Sequence, residues 1–152
     1  MPLNKDLHAF VELLNSNQVE YLIVGAFAVA YHGFPRYTGD LDILVRPSGE
    51  NARRTLNVLS QFGFGGLGVQ NDDLEVPGKV IQLGVAPNRI DLVTAISGLT
   101  FDQAWASREL AELDGIPVAF IGRTALIHNK ESTGRQKDRG DAEELRHRSP
   151  ER

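Results

Sequence analysis

The sequence predicts a mixed α/β domain of about five strands flanked by helices, and two patterns predict it. Short apolar runs bounded by turn residues indicate strands, whereas longer segments with apolar residues at three- and four-residue spacing indicate helices. Both kinds of segment occur along 152 residues, a length that suits one domain with one core. We therefore expect a single domain over residues 1–152, with 146–152 as a flexible tail.

Five elements are predicted in the first half of the chain. The first helix places Leu7, Phe10 and Leu14 on one apolar stripe. Ser48 is suited to cap the third helix, because a serine side chain accepts a hydrogen bond from a free backbone N–H group. In chain order, the expected elements are a helix over 3–14, a strand over 21–24, a helix over 26–31, a strand over 40–45 and a helix over 49–62.

Turn residues divide the second half into three strands and two helical regions. The glycine-rich stretch GFGGLG satisfies a dinucleotide-binding pattern literally, but it follows a helix instead of a strand, so we interpret it as a loop. The expected elements are strands over 80–85, 89–93 and 116–121, a helix over 101–110, and helical structure from 124 onward with an interruption at Thr133-Gly134.

Composition and charge argue against several classes of protein. The net charge of -4 disfavours a general nucleic-acid coat, which is usually basic, although residues 123–152 hold 8 of the 16 Lys and Arg. The absence of cysteine leaves no disulfide or thiolate chemistry. No run approaches the roughly 18 apolar residues of a membrane span, and the first residues lack a signal-peptide pattern. We expect a cytoplasmic protein without membrane contact.

Two acidic residues interrupt the apolar run that predicts the second strand. Because side chains alternate along a strand, Asp40 and Asp42 share one face, about 7 Å apart. Their charges would repel each other and lose hydration among apolar neighbours. A divalent cation relieves both costs, since Mg²⁺ prefers carboxylate oxygens together with substrate phosphate oxygens. The pair therefore indicates a metal site.

A third acid lies inside a later predicted strand. Asp91 has apolar neighbours on both sides, which is unusual for an acid without a partner. If its strand neighbours the one that carries Asp40 and Asp42, three carboxylates meet on one face and can hold two metal ions. The alternative is a strand-end acid paired with Arg89 or Arg36.

The turn from the first strand into the second helix contains Gly25. A helix that begins after such a turn directs free N–H groups outward, which suits phosphate. This feature is weak alone, but Gly25-Ala26, thirteen intervening residues and Asp40-Leu41-Asp42 resemble the signature of the polymerase-β-type nucleotidyltransferase superfamily.

The resemblance extends over most of the chain. The segment GAFAVAYHGFPRYTGDLDILV resembles sequences of a small bacterial branch that includes abortive-infection toxin nucleotidyltransferases. The later blocks RIDLV and ALIHNKESTGRQKDRGDAEEL match the same branch, so the resemblance runs from Val19 to Leu145. One position departs from the pattern. Ala26 stands where the family usually has Gly or Ser, so a serine hydroxyl that could contact phosphate is absent.

The resemblance implies a nucleotidyltransferase-type mixed sheet and the transfer of a nucleoside monophosphate from an NTP to an acceptor hydroxyl, with release of pyrophosphate. Two Mg²⁺ ions, or Mn²⁺ in their place, are the implied cofactors. Asp40, Asp42 and Asp91 are the implied catalytic and metal-binding residues, and Asp91 also helps to deprotonate the acceptor. The acceptor stays open between an RNA end, a protein and a small molecule.

Basic residues near the acids are expected to neutralise the nucleotide phosphates. Asp138 and Asp141 would orient the cations of the C-terminal block, although an ordinary surface salt-bridge helix explains that block as well. The expected nucleotide-binding residues are Gly25, Ala26, Arg36, Thr38, Lys130, Arg135 and Lys137.

Two further hypotheses stay open. The first is a toxin with the same chemistry, controlled by an antitoxin partner. The second is a nucleotide-binding or interaction module without catalysis, for which Ala26 is the one hint.

Overall fold

The computed structural model describes residues 5–34, 39–85 and 89–147. Helices flank a six-stranded mixed sheet, so the expected fold class is confirmed. The strands are β1 (Tyr21–Val24), β2 (Leu41–Val45), β3 (Val80–Leu83), β4 (Ile90–Val93), β5 (Glu109–Leu113) and β6 (Ile116–Phe120). The helices are α1 (Lys5–Ser16), α2 (Gly25–Tyr31), α3 (Gly49–Gln61), α4 (Asn71–Glu75), α5 (Phe101–Ala106), α6 (Arg123–Ser132) and α7 (Gln136–His147).

The strand order β3-β4-β2-β1-β6-β5 puts β2 near the middle of the sheet. β4 runs parallel to β2 on one side, with Asp91 opposite Asp42, and β1 runs antiparallel on the other side, with Val24 opposite Asp42. β6 is parallel to β1, while β3 and β5 are antiparallel edge strands. This order brings the acids of β2 and β4 together beside the end of β1.

The core forms from the apolar faces that the sequence marks. Leu7, Phe10 and Leu14 of α1 are all buried, as their spacing predicts. Ser48 caps α3, because its hydroxyl accepts a hydrogen bond from the Asn51 N–H group. α1 packs against both α3 and β6.

The helix expected over 101–110 is wrong beyond Ala106, where α5 ends. The chain then forms β5, a strand in addition to the five that were expected. Glu, Leu and Ala in the segment ELAEL all favour helix, but pairing with β6 overrides that local preference. Asp114 and Gly115 both have positive φ, 54° and 80°, as two-residue hairpin turns require.

Three smaller features refine the expected elements. The acidic residues after the glycine-rich loop form the short helix α4, which begins with a capping box between Gln70 and Asp73. The loop itself contains a single 3₁₀ turn over Gly65–Leu67. α7 continues through His147, so it includes the first two residues of the expected tail. Among the described helices, none has both the length and the apolar character that crossing a bilayer requires.

Candidate active site

Two of the acids expected in the site are direct cross-strand neighbours. Asp42 on β2 lies in register with Asp91 on β4. Asp40 immediately precedes β2 and shares the face of Asp42 through the alternation of the strand. The parallel pairing of β2 and β4 therefore gathers three carboxylates on one face of the sheet.

The surroundings of Asp42 disfavour its charged form. Burial raises the pKa of Asp42 most, and repulsion from Asp91 and Asp40 raises it further, to about 6. Lys130 and Arg89 act in the opposite direction but do not cancel these effects. A raised carboxyl pKa in a cleft is typical of a functional site, since it reports an ionisable group that is buried close to like charges.

Gly25 packs directly against the Asp42 side chain. Its φ of +67° lies in the left-handed region that glycine adopts at low cost. A Cβ at this position would overlap Asp42 Oδ2 and would lie only 2.9 Å from Asp42 Cβ and Cγ. Glycine therefore lets the turn from β1 into α2 approach the carboxylate closely.

These residues line one cavity of about 800 Å³, which lies within the size range of small-molecule and cofactor sites. Arg36 and Thr38, two of the expected nucleotide-binding residues, lie outside the described residues. The structure brings the other expected site residues together on the cavity wall: Gly25, Ala26, Asp40, Asp42, Asp91, Lys130, Arg135 and Lys137.

The C-terminal helices contribute a part-buried cation to this wall. Lys130 Nζ lies 3.1 Å from Asp138 Oδ1 and 3.4 Å from Asp141 Oδ2. Both carboxylates are buried, so the surface salt-bridge interpretation is wrong for these positions. Asp138 also accepts hydrogen bonds from the Thr133 hydroxyl at 2.8 Å and from Arg135 Nε at 2.7 Å. Asp138 thus ties α6 to the start of α7 and holds Lys130 beside the cavity.

The ionisation of Asp138 follows from these contacts. Burial acts to raise its pKa, but the hydrogen bonds from Thr133, Lys130 and Arg135 outweigh burial and leave the pKa lowered. Asp138 is therefore held in its charged form, as a partner for Lys130 requires.

Arg89, which the sequence suggested only as an alternative partner of Asp91, lies inside the acidic cluster. One terminal guanidinium nitrogen (NH2) is 3.2 Å from Asp91 Oδ2 and 3.4 Å from Asp40 Oδ2. The alternative ion pair and the three-carboxylate cluster therefore exist together. The sequence spacing indicates this contact, because Arg89 and Asp91 are two residues apart and therefore share one strand face.

The segment after β4 forms a further wall that sequence reasoning missed. Ala95, Ile96 and Ser97 line the cavity, and the Asn129 side chain donates a hydrogen bond to the Ser97 carbonyl at 3.0 Å. This contact joins the segment to α6. Small and apolar residues outside any periodic element carry no recognisable signal of such a role.

The three acids fit a divalent cation in donor chemistry, since carboxylate oxygens are hard ligands. Asp91 Oδ1 is buried and has no hydrogen-bond partner among the described residues. Their arrangement is a separate matter from their chemistry. Within the described residues, no group of three or more acidic, histidine or cysteine side chains is placed so that it could hold a metal ion. Arg89 contacts Asp40 and Asp91 and supplies the positive charge that they share.

Comparison with known proteins gives matches in structure only. No protein-family model matches the chain, and no curated protein sequence matches it. The crystal structure of the lincosamide antibiotic adenylyltransferase LnuA, with lincomycin bound, matches with a TM-score of 0.58 at 13% identity, covering 95% of this chain and 97% of that one.

Two more solved structures match the chain at a similar level. The antibiotic-resistance factor ANT(2'')-Ia matches with a TM-score of 0.56 at 14% identity, covering 92% of this chain and 80% of that one. A Thermotoga maritima protein described as a nucleotidyltransferase matches with a TM-score of 0.56 at 16% identity, covering 93% of this chain and 88% of that one. The chain has the nucleotidyltransferase fold. At these identities the nucleotidyltransferase likeness establishes the architecture, and arguments about individual residues depend on the site itself.

Proposed function

We propose that this protein transfers a nucleoside monophosphate from an NTP to an acceptor hydroxyl and releases pyrophosphate. The observation that carries the proposal is the register of Asp42 against Asp91, with Asp40 on the same face, on the wall of a cavity. The nucleotidyltransferase fold supports the same assignment.

The three acids divide between two roles in this reaction. Asp40 and Asp42 would bind the cation that accompanies the nucleotide and share a second one with Asp91. When bound, two Mg²⁺ or Mn²⁺ ions would stabilise the attacking and the leaving oxygens of the displacement. Asp91 helps to take the acceptor proton as the acceptor oxygen bonds to the α-phosphorus. The bond from that phosphorus to the β-phosphate oxygen breaks, and its electron pair leaves with pyrophosphate.

The basic residues of the cavity suit the negative charge of the triphosphate. Arg135 is 75% exposed in its side chain and Lys137 is exposed, so both present positive charge to a ligand that enters the cavity. Lys130 is held in place by its buried partners, and its charge acts to lower the pKa of Asp42. The backbone at Gly25 and Ala26, and Arg36 and Thr38 from the segment outside the described residues, complete the proposed nucleotide contacts.

A small molecule is the acceptor class that we place first. LnuA and ANT(2'')-Ia are both antibiotic-modifying or antibiotic-resistance proteins by description, and this chain covers 97% and 80% of their lengths. An RNA end and a protein hydroxyl are the other outcomes of the test. A regulating antitoxin remains a hypothesis that expression of the protein alone would test, through growth arrest.

The decisive experiment supplies each α-labelled NTP with Mg²⁺ to three separate acceptor pools: small-molecule hydroxyl compounds, total RNA and lysate protein. We expect label to enter one pool and to be lost in Asp42→Ala and Asp91→Ala. Asp72→Ala is the matched control, because Asp72 is an exposed acid of α4 that does not line the cavity. Tight NTP binding without transfer into any pool would instead establish a non-catalytic binding module and contradict the proposal.

A further inference from the structure

Arg89 and the three acids form a two-by-two arrangement across the parallel strands. Leu41 lies opposite Ile90 and Asp42 opposite Asp91, so the preceding residues, Asp40 and Arg89, are neighbours at the entry to β2 and β4. The backbone of Arg89 is held there, because its carbonyl accepts a hydrogen bond from the Leu41 N–H group at 2.9 Å. One basic side chain therefore starts from a fixed point beside three acidic ones.

Arg89 contacts this cluster directly through its side chain. Its guanidinium lies 3.2 Å from Asp91 and 3.4 Å from Asp40. Lys130, the other cation that influences Asp42, already forms ion pairs with two buried carboxylates of α7. Arg89 thus neutralises the same carboxylate oxygens that a divalent cation would neutralise.

The contacts of Arg89 are incomplete for a permanent ion pair. Within the described residues, Arg89 Nε is buried without a hydrogen-bond partner, and so is Asp91 Oδ1. A guanidinium in a settled pair usually directs two parallel N–H groups at one carboxylate, which gives a stronger and more specific contact. Here a single nitrogen is shared between two carboxylates. Both unpartnered atoms would gain partners if the guanidinium moved to a phosphate and Asp91 to a cation.

We infer that Arg89 is a built-in counter-ion that competes with divalent cations for Asp40 and Asp91. A cation alone then binds weakly, because it must displace the guanidinium. A nucleotide triphosphate binds together with the cation, because its phosphates accept the displaced Arg89. This second step rests on the proposed function, whereas the competition itself does not.

The affinity for Mn²⁺ alone tests the competition. The protein is first treated with chelator, and the affinity is then measured by titration calorimetry and electron paramagnetic resonance. We expect Arg89→Gln to bind Mn²⁺ about tenfold more tightly than the wild type, the size of effect that two part-exposed ion pairs can produce. We also expect the melting temperature of Arg89→Gln to rise more on Mn²⁺ addition, since the cation then replaces the positive charge that the guanidinium supplied. Arg53→Gln is the control, because Arg53 pairs with Glu50 on the surface of α3.

Equal or weaker Mn²⁺ affinity in Arg89→Gln would overturn the inference. If that variant does not fold, Arg89→Lys carries the same test. Lysine contacts one carboxylate at a time, so we expect tighter Mn²⁺ binding than in the wild type, and unchanged binding again overturns the inference. The transfer assay separates this result from the proposed function. Tighter Mn²⁺ binding with no wild-type transfer contradicts only the function, and transfer with unchanged Mn²⁺ affinity contradicts only the role of Arg89.

Discussion

Asp42 and Asp91 lie directly opposite each other on the neighbouring parallel strands β2 and β4. Like charges in that position destabilise a sheet, and burial adds to the cost by raising the pKa of Asp42 to about 6. No packing requirement of the strands explains two acids at one register position. The relationship therefore couples the stability of the sheet to the ionisation of its proposed catalytic residues.

The first prediction concerns the pH dependence of stability. The pKa of Asp42 is higher in the folded protein, about 6, than its ordinary value of 3.8, so the folded state binds the proton more tightly. The favourable contribution of protonated Asp42 is therefore fully present below about pH 4 and is lost as the pH rises through 6. Relative to Asp42→Asn, the wild type should lose on the order of 3 kcal/mol of unfolding free energy over this window.

Urea denaturation in chelator at several pH values from 4 to 7.5 measures this difference. Asp72→Asn provides the control, because Asp72 is exposed on α4 and should follow the wild-type curve. Parallel stability curves for the wild type and Asp42→Asn would show that the Asp42 environment is not the origin of any pH dependence.

The second prediction concerns Gly25. Alanine there must adopt a φ of +67° and also overlap the Asp42 carboxylate, so both backbone strain and a steric clash oppose folding. We expect Gly25→Ala to lower the unfolding free energy by about 3 kcal/mol and to reduce transfer, since the carboxylate must shift.

Gly63→Ala separates the two causes. Gly63 also has positive φ, 96°, but a Cβ there meets nothing within 4 Å, so only the backbone cost of about 1 kcal/mol applies. Equal destabilisation of the two variants by thermal or urea unfolding would rule out the close approach to Asp42 as a contribution.

The local part of the site follows from sequence, because it depends on short-range rules. Strand alternation puts Asp40 and Asp42 on one face, and the spacing from Gly25 identifies the turn that packs against them. Asp91 required one assumption, that its strand neighbours β2, and the sheet order confirms it. The shared contacts of Arg89 did not follow, since they depend on which side chains meet across two strands.

The edge strand β5 was harder to predict from the sequence than the site. β5 is an edge strand with exposed alternate residues, and its helix-favouring composition points the other way. Its pairing with β6 depends on the hairpin turn and on the sheet already formed. The buried environment of Asp138 was equally hidden, because an acid on a polar helix is usually a surface residue.

The third prediction concerns Lys130. Removing its charge leaves Asp138 and Asp141 buried beside each other without their shared cation, which is more costly than losing a surface pair. We expect Lys130→Met to lower the unfolding free energy by about 3 kcal/mol in urea denaturation. Adding Asp141→Asn should restore part of this loss, because it removes one of two neighbouring buried negative charges. Lys137→Met, at an exposed site, should change stability by less than about 0.5 kcal/mol.

The fourth prediction separates nucleotide binding from structure at Arg135. Its side chain is 75% exposed, so its ion pair with Asp138 is screened by water and contributes little to stability. In the proposed function it contacts phosphates equally in the ground and transition states. Arg135→Gln should therefore raise the KM for the NTP about tenfold, the cost of one charge-assisted hydrogen bond, and leave kcat near the wild-type value. Arg139→Gln tests the specificity of the effect, because Arg139 is an exposed arginine in the first turn of α7 that does not line the cavity. A fall in kcat at unchanged KM would contradict the phosphate-binding role and assign Arg135 to the chemical step instead.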